Sequence, residues 1–257
     1  MRIATWNVNG LRARLDFLKR WLEERQPDIV GMQELKITAD EFPTEVFTSL
    51  GYNVAIHGEK GWNGVGIASR HAIEVETTGL PGQSEMGSRL ITATIQGLSF
   101  TTVYVPNGKD LDHVDYPRKL QWLETLADHW SATHASGDAA ILCGDFNVTP
   151  AAIDSWRGAA ADGRLFHTPA ERDRLRMLDQ SGLYDLFREK YPDDQRFSWW
   201  DYRGGAFHRG QGLRIDFIYG TAPVLARVRD VTIDRDYRKK QDGLTASDHA
   251  PVIVELD

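Results

Sequence analysis

The chain is organised around the segment Ala140-Ile141-Leu142-Cys143-Gly144-Asp145-Phe146-Asn147-Val148-Thr149-Pro150, an apolar run that stops at a glycine and then alternates. The apolar run predicts a buried central strand. Because successive side chains of an extended chain point to opposite faces, Asp145 and Asn147 share one side at the mouth of that strand. The acid can bind a metal ion or move a proton, and the amide is a neutral donor. Taken alone, Asp-Phe-Asn is equally well explained as a turn, since both polar residues favour turns.

A similar pattern opens the chain. The first predicted strand ends in Asn7-Val8-Asn9-Gly10, again with polar residues at alternate positions. A helix with leucines at helical spacing follows, and a second buried strand over 28–34 finishes on Glu34. A strand, a crossover helix and another strand make a βαβ-like opening. We therefore expect Asn7 and Glu34 at the same edge of one sheet.

The rest of the chain alternates strands with helices. Strands are predicted near 52–56, 65–69, 73–77, 90–95, 99–105, 214–219, 228–233 and 252–256, and helices near 43–50, 114–134 and 169–180. The sequence shows no linker and no low-complexity segment. It predicts a single α/β domain over 1–257, in which two mixed β-sheets pack face to face with helices on the outside, a four-layered sandwich.

The composition is that of an ordinary globular protein without disulfides. Of 257 residues, 41% are hydrophobic and 26% are charged, as in ordinary globular proteins. A chain of this length can bury a sizeable apolar core. The single cysteine, Cys143, cannot pair within the chain, and its apolar strand predicts a buried thiol. The chain enters a strand at once, and no stretch approaches the ~20 apolar residues of a membrane span. We expect a cytoplasmic protein that does not bind membranes.

The net charge of −7 argues against a protein that coats nucleic acid by bulk electrostatics. A local basic surface is still able to bind it. Such clusters are more often solvated faces than binding patches. Basic residues cluster near both ends of the chain: Arg12, Arg14, Lys19 and Arg20, then Arg235, Arg238, Lys239 and Lys240.

Polar residues of catalytic type stand at five predicted strand ends and before a sixth strand. Coincidence is a poor explanation for so many. In chain order they are Asn7, Glu34, Tyr104, Asp145 with Asn147, Asp216, and the pair Asp248-His249.

Seven segments resemble the exonuclease III family of abasic-site endonucleases, within the endonuclease/exonuclease/phosphatase superfamily, and the resemblance covers essentially the whole chain. The segments Tyr104-Val105-Pro106-Asn107-Gly108 and Trp199-Trp200-Asp201-Tyr202-Arg203 are typical of the DNA-repair branch. The others lie at 5–10, 33–36, 144–147, 213–216 and 247–251. Most enzymes of this type have Thr where Leu35 stands, a minor departure.

The resemblance implies a Mg²⁺-dependent repair nuclease for which Mn²⁺ substitutes. It would hydrolyse the phosphodiester 5′ to an abasic site in duplex DNA, leaving a 3′-hydroxyl and a 5′-deoxyribose phosphate. The family also trims blocked 3′ ends or acts as a 3′→5′ exonuclease. We expect a monomer without an obligate protein partner.

The residue types suit metal-assisted hydrolysis. A phosphodiester is anionic, so attack by water needs its charge neutralised and the nucleophile aimed. Glu34 is the candidate for direct ligation, because Mg²⁺ keeps several waters and takes one or two carboxylates. We expect the acids to gather without a cationic partner. The other candidates for the metal shell, some through water, are Asn7, Asp145, Asn147 and Asp248.

Asp145 is the candidate for proton transfer, either from the attacking water or to the leaving oxygen, with Tyr104 or His249 as the alternatives. Crowding by Glu34 and Asp248 would raise its pKa. His249 with Asp216 forms an acid–imidazole pair, in which the carboxylate favours the imidazolium and the other nitrogen donates to the phosphate.

The remaining site residues are assigned to the substrate. Tyr104, Asn107 and Asn147 would hold phosphate oxygens, and Asn9 would bind substrate or support the metal. By resemblance, Trp199, Leu213 and Ile215 would line a pocket for a flipped-out sugar, because a baseless nucleotide costs less to unstack. Ordinary core packing is the alternative for these three. Candidates for contacts to backbone phosphates are Arg12, Lys36, Arg203 and Arg209.

Two other functions stay open. A lipid or inositol phosphate phosphodiesterase of the same superfamily would share the metal site, but it usually carries a secretion signal or a membrane-binding segment. A catalytically inactive relative could act as a nucleic-acid-binding regulator. Such a protein should have lost part of the site, whereas every acid and amide is present here.

Overall fold

The computed structural model describes residues 1–135 and 137–257, and within them the chain forms two six-stranded sheets. The strands in chain order are β1 Arg2–Asn7, β2 Ile29–Gln33, β3 Asn53–His57, β4 Val65–Ser69, β5 Glu74–Thr78, β6 Leu90–Ile95, β7 Leu98–Tyr104, β8 Ala140–Asp145, β9 Tyr184–Asp185, β10 Asp216–Gly220, β11 Val228–Ile233 and β12 Val252–Leu256. The helices are α1 Leu11–Arg25, α2 Thr44–Ser49, α3 Asp115–Thr133, α4 Pro169–Gln180, α5 Leu186–Lys190 and α6 Ala222–Leu225.

Each sheet is mixed, with one parallel pair near its centre. The strand order is β11-β12-β1-β2-β4-β3 in the first sheet and β5-β6-β7-β8-β10-β9 in the second. The parallel pairs are β1 with β2 and β7 with β8, and each is joined by a crossover that contains a helix. The two strands of a parallel pair end at the same edge of their sheet. The last residues of β1 and β2 therefore lie at one edge of the first sheet, and those of β7 and β8 lie at one edge of the second.

The two sheets pack face to face over an apolar core. Ile3 and Ile29 of the first sheet contribute to it, as do Phe100 and Ile141 of the second, all with no exposed surface. The sheets approach closely at Gly31, where an added Cβ would lie 2.6 Å from the hydroxyl oxygen of Thr102. The predicted face-to-face packing of two sheets is confirmed.

Helices cover both outer faces. On the first sheet, Phe17 and Trp21 of α1 pack against Trp6 of β1. On the second, Trp122 and Leu126 of α3 belong to a separate apolar core with residues of β7, β8 and β10. The four predicted layers are therefore present.

The predicted elements agree closely with the observed ones. Helices α3 and α4 lie within one residue of the predicted bounds, and α4 begins with a capping box in which Thr168 and Glu171 exchange hydrogen bonds. The strand predicted from 214 begins only at Asp216. The sequence did not reveal β9, α5 and α6, because two to five residues are too few for a periodic pattern.

Two smaller expectations concern Cys143 and the membrane. The Cys143 side chain is fully buried, and burial raises the pKa of its thiol to about 12, so the thiol is inert as predicted. Among the described residues, no helix combines the length and the apolar character that a bilayer crossing requires.

Candidate active site

The predicted site residues converge at one end of the two sheets. Asn7 is the last residue of β1 and pairs with the end of β2, directly before Glu34. In the second sheet Asp145 pairs with Tyr104 on one side and with Asp216 on the other. The topology therefore brings together acids that lie far apart in the sequence.

The backbone at these strand ends is unusual. Asn9, Glu34 and Asn147 all have left-handed φ angles, of 47°, 50° and 50°. Such angles persist in non-glycine residues only where the surroundings enforce them, and they are common at functional sites. Gly144, with φ of 144°, has no room for a side chain, since a Cβ would lie 1.9 Å from the carbonyl oxygen of Val103. This glycine is required directly before Asp145.

Asp145 is buried and heavily hydrogen-bonded. Its Oδ2 accepts from Nδ2 of Asn7 at 2.9 Å, and its Oδ1 accepts from the backbone N–H of Asn147 at 2.9 Å. Burial raises the pKa of Asp145 to about 7; the charges of Asp216 and Glu34 also raise it, whereas His249 opposes them. The direction of the shift agrees with the expectation from sequence, but burial is its main cause, and the second acid that raises this pKa is Asp216 rather than the expected Asp248.

His249 and Asp216 form the expected pair. Nδ1 of His249 lies 2.9 Å from Oδ2 of Asp216, and Nε2 lies 3.8 Å from Oδ2 of Asp145. Burial opposes the charged imidazole, but the two carboxylates outweigh it and raise the pKa of His249 to about 10. At neutral pH His249 is therefore an imidazolium that directs its second N–H toward Asp145.

Glu34 has a cationic partner, contrary to the expectation that the acids gather without one. Nζ of Lys36 lies 2.8 Å from Oε2 of Glu34 and also donates to Oδ1 of Asn9 at 2.7 Å. Because Glu34 and Lys36 both have left-handed φ angles, the chain turns sharply after β2. The turn carries the lysine back over the acid, and alternation along a strand does not predict it.

Asn7 and Asn9 hold the acids in place. Nδ2 of Asn7 donates to Glu34 at 2.8 Å as well as to Asp145, and Nδ2 of Asn9 donates to Oδ1 of Asp248 at 2.8 Å. Oδ2 of Asp248 accepts from the indole N–H of Trp199 at 3.0 Å. Glu34 and Asp248, the two site acids next to the first sheet, are thus each oriented by an asparagine amide.

The donor set fits an oxygen-ligated divalent cation. One ligand atom each from Glu34, Asp145 and His249 lie within 4.8 Å of one another. Nδ1 of His249 is engaged by Asp216, and Mg²⁺ prefers oxygen ligands, so the carboxylate oxygens are the candidate ligands. As oriented here, Asn7 presents its amide nitrogen to the two acids and would orient them rather than ligate.

Tyr104 and two asparagines surround the site on the second sheet. Burial, with the charges of Glu34 and Asp145, raises the pKa of Tyr104 well above its ordinary value, so the phenol stays protonated. Nδ2 of Asn147 donates to the carbonyl oxygen of Val105 at 3.0 Å, and Nδ2 of Asn107 lies 3.4 Å from Oδ1 of Asn147. The two amides are neighbours.

The proposed pocket residues lie beside His249. Trp199 pairs with Leu213 on one side and with His249 on the other in short antiparallel bridges. Leu213 and Ile215 are 6% and 1% exposed, yet neither belongs to any of the three apolar cores formed by the described residues. Their role as a pocket wall stays a prediction.

The cations predicted to contact DNA phosphates are spread around the site. Lys36 lies inside it, as described. Arg12 pairs with Glu41 at 3.2 Å, Arg203 pairs with Asp201 at 2.8 Å, and Arg209 is exposed. Their role stays a prediction.

Three residues that support the site were missed from sequence. The Ser198 hydroxyl accepts from the backbone N–H of Ile215 and Asp216, and the Ser247 hydroxyl donates to the carbonyl oxygen of Asn7 at 2.7 Å. No sequence signal distinguishes these serines. Lys119 is the third, and it had a signal: it occupies the apolar stripe of α3, four residues before Leu123.

Comparison with known proteins agrees with this geometry. The model of the Endonuclease/Exonuclease/phosphatase family matches residues 4–249. The chain is 33% identical over 269 aligned residues to exodeoxyribonuclease III of Haemophilus influenzae, with all of both chains covered.

Among the similar solved structures, two have the same fold and are identical to this chain at more than a third of the aligned positions. An AP endonuclease from Archaeoglobus fulgidus superposes with a TM-score of 0.95 at 36% identity, over 100% of this chain and 99% of that one. The 3′ phosphatase NExo from Neisseria, bound to a product DNA hairpin, gives 0.94 at 35% identity with the same coverage. The chain therefore belongs to the Endonuclease/Exonuclease/phosphatase family and, within it, to the exonuclease III group of phosphodiester hydrolases that includes AP endonucleases.

Proposed function

We propose that this protein is a Mg²⁺-dependent DNA repair nuclease that hydrolyses the phosphodiester 5′ to an abasic site in duplex DNA. We further propose that it removes nucleotides or blocking groups from 3′ ends and that Mn²⁺ replaces Mg²⁺. The observation that carries the proposal is the buried Asp145, whose pKa lies near neutrality, 3.8 Å from the charged His249 and beside Glu34. The similarity of this chain to an exodeoxyribonuclease III, an AP endonuclease and a 3′ phosphatase supports the proposal.

The phosphate would be held by donors that lie around Asp145. His249 presents a charged N–H, Tyr104 a neutral hydroxyl, and Asn147 and Asn107 present side-chain amides. Fixed donors in a site that excludes water stabilise the charge that develops on phosphate oxygens in the transition state. The buried Asp216 keeps His249 charged and oriented.

Asp145 moves the proton. With a pKa of about 7 it can take a proton from the attacking water or give one to the leaving 3′ oxygen, whereas His249 and Tyr104 stay protonated at neutral pH. Water adds to phosphorus and the bond to the 3′ oxygen breaks. The products are a 3′-hydroxyl and a 5′-deoxyribose phosphate.

Glu34 would hold the metal directly, with Asp145, Asp248 and Asn147 around it or one water away, while Asn7 orients the Glu34 and Asp145 carboxylates. Bound there, Mg²⁺ would neutralise charge on the phosphate and help to aim the attacking water. Asn7 and Lys36 already fix the Glu34 carboxylate from two sides. The acid is therefore oriented in advance.

Selection of abasic sites is assigned to Trp199, Leu213 and Ile215. An apolar wall beside His249 would accept a sugar without its base and exclude a complete nucleotide. We retain the expectations of a monomer, a single domain and a cytoplasmic location as predictions.

The test is an incision assay on three duplexes, one with a single abasic analogue, one intact and one 3′-phosphorylated, each with Mg²⁺ and with chelator. We expect Mg²⁺-dependent cleavage 5′ to the analogue and release of the 3′ phosphate. Asp145→Asn serves as the inactive control. A folded wild-type protein that binds but never cleaves these DNAs would support the inactive regulator instead. Cleavage of another phosphate ester alone would support the phosphodiesterase.

A further inference from the structure

A buried ion pair lies directly behind the proposed phosphate site. Lys119 of α3 and Glu171 of α4 are both fully buried, and Nζ of Lys119 lies 2.5 Å from Oε1 of Glu171. The carboxylate also accepts from the backbone N–H of Thr168 at 3.0 Å and of Phe166 at 3.2 Å. The pair is thus hydrogen-bonded throughout and closed to solvent.

The other hydrogen bonds of the ammonium go to the backbone of the site. Nζ of Lys119 donates to the carbonyl oxygen of Asn147 at 2.6 Å and to that of Asn107 at 3.3 Å. These asparagines follow two different strands, β8 and β7, and their side chains lie next to each other. Lys119 is therefore the point where both phosphate-holding loops are joined.

The conformation of Asn147 depends on such support. Its φ of 50° is left-handed. Its backbone N–H donates a hydrogen bond to Oδ1 of Asp145, and its carbonyl oxygen accepts one from Nζ of Lys119. Removing the ammonium would leave a buried carbonyl without its donor, which the structure would relieve by moving the loop. The Asn147 amide would move with it.

Stability alone is a weak explanation for this pair. Desolvation of two buried charges often outweighs their attraction, so an apolar pair of similar volume is commonly no less stable. Attraction of DNA at a distance is also a weak explanation, because Glu171 cancels the charge. What the ammonium offers is three directed donors at one point.

We infer that Lys119 is a positioning residue for Asn107 and Asn147. This rests on the proposed function, since it assumes that the two amides receive one phosphate group. Lys119 does not touch the substrate. It holds the two loops so that their amides keep the separation that the transition state needs, while ground-state binding is spread over the whole DNA contact.

The decisive variant is Lys119→Met/Glu171→Gln, which removes both buried charges and keeps a glutamine that can still cap α4. We expect kcat on the abasic duplex to fall by about tenfold to a hundredfold, with KM little changed, because small misplacements cost rate. Lys119→Gln/Glu171→Gln restores one donor and should lie between this variant and the wild type. The matched control is Leu126→Ala, a core truncation in the same helix, which should lower Tm but keep kcat.

A second readout does not depend on activity. Hydrogen exchange of peptides covering 105–109 and 146–150, measured on the metal-free protein, should speed up in the double variants and not in Leu126→Ala. Absence of wild-type incision would refute the proposed function, and exchange would still test Lys119. The inference is overturned if the Lys119→Met/Glu171→Gln variant keeps the wild-type kcat, if Leu126→Ala loses as much, or if exchange in the two loops is unchanged.

Discussion

Nε2 of His249 lies 3.8 Å from Oδ2 of Asp145, and the two groups have opposite protonation preferences. The pKa of Asp145 is raised to about 7 by burial, and that of His249 is raised to about 10 by its carboxylate neighbours. Above pH 7 the pair consists of a carboxylate and an imidazolium, which suits one group for proton transfer and the other for holding an anion.

The first prediction is that Asp145→Asn lowers turnover by about 10²–10⁴-fold, the usual loss of a general acid–base, while DNA binding is retained. The asparagine amide has the size of the aspartate carboxyl group, but it cannot take up or release a proton. Single-turnover incision measures the rate, and fluorescence anisotropy in chelator measures binding. Near wild-type turnover would assign proton transfer to another group.

A second prediction concerns pH and rate. If Asp145 acts as a base, single-turnover incision should rise as pH increases through about 7, because the carboxylate form accumulates. It should fall again as His249 loses its proton near pH 10. In the residual activity of Asp145→Asn the limb near 7 should be missing. A falling limb near 7 would instead make Asp145 the acid, and a flat profile from pH 5 to 9 contradicts both roles.

A third prediction concerns pH and stability. The pKa of His249 rises from an ordinary value near 6.5 in the unfolded chain to about 10 in the folded protein. Its contribution is therefore fully present below 6.5 and is lost as pH rises through 10. In metal-free urea unfolding, His249→Gln should lower the free energy of unfolding more at pH 6 than at pH 10.5. An equal loss at both pH values would refute the charged His249.

The fourth prediction is an obligatory divalent metal. Chelation should abolish incision, and Mg²⁺ or Mn²⁺ should restore it, whereas full activity in excess chelator contradicts the metal assignment. Glu34→Ala should weaken metal binding in calorimetric titration and slow incision while the protein stays folded, because a partly exposed acid at a strand end adds little to the core. Asp16→Ala, an exposed acid of α1, is the matched control.

The fifth prediction separates a repair enzyme from a general nuclease. Leu213→Ala opens the wall without touching the acids, so the ratio of abasic to intact incision should fall, mostly through loss of the abasic preference. Trp199→Ala should do the same but also slow the chemistry, since Asp248 loses its indole donor. Single-turnover assays on matched abasic and intact duplexes measure the ratio and the rate for each variant. The rate of 3′-end cleavage should fall less than the rate of abasic incision. An unchanged ratio in both variants would mean that these residues only pack in the protein interior and do not select the substrate.

The sequence by itself determined the layers, most strand ends and a list of candidate site residues. Apolar runs that stop at polar residues mark central strands, and the crossover helix between the first two strands allowed Asn7 and Glu34 to be placed at one edge of a sheet. Asp145 lies in the other sheet, and it was grouped with them only through the family resemblance. The bounds of α3 and α4 also followed from the sequence. These features are local or repeat along the chain.

Only the tertiary structure decided how the charges pair. Three contacts show this: Lys36 with Glu34, Lys119 with Asn147, and Trp199 with Asp248. The last two join segments that are far apart in the sequence, and the first depends on a left-handed turn. No periodic pattern in the sequence predicts either situation. The pKa of Asp145 likewise depends on burial between two sheets, which exists only once both have assembled. Side-chain chemistry is written in the sequence, but desolvation and charge proximity arise from packing in three dimensions.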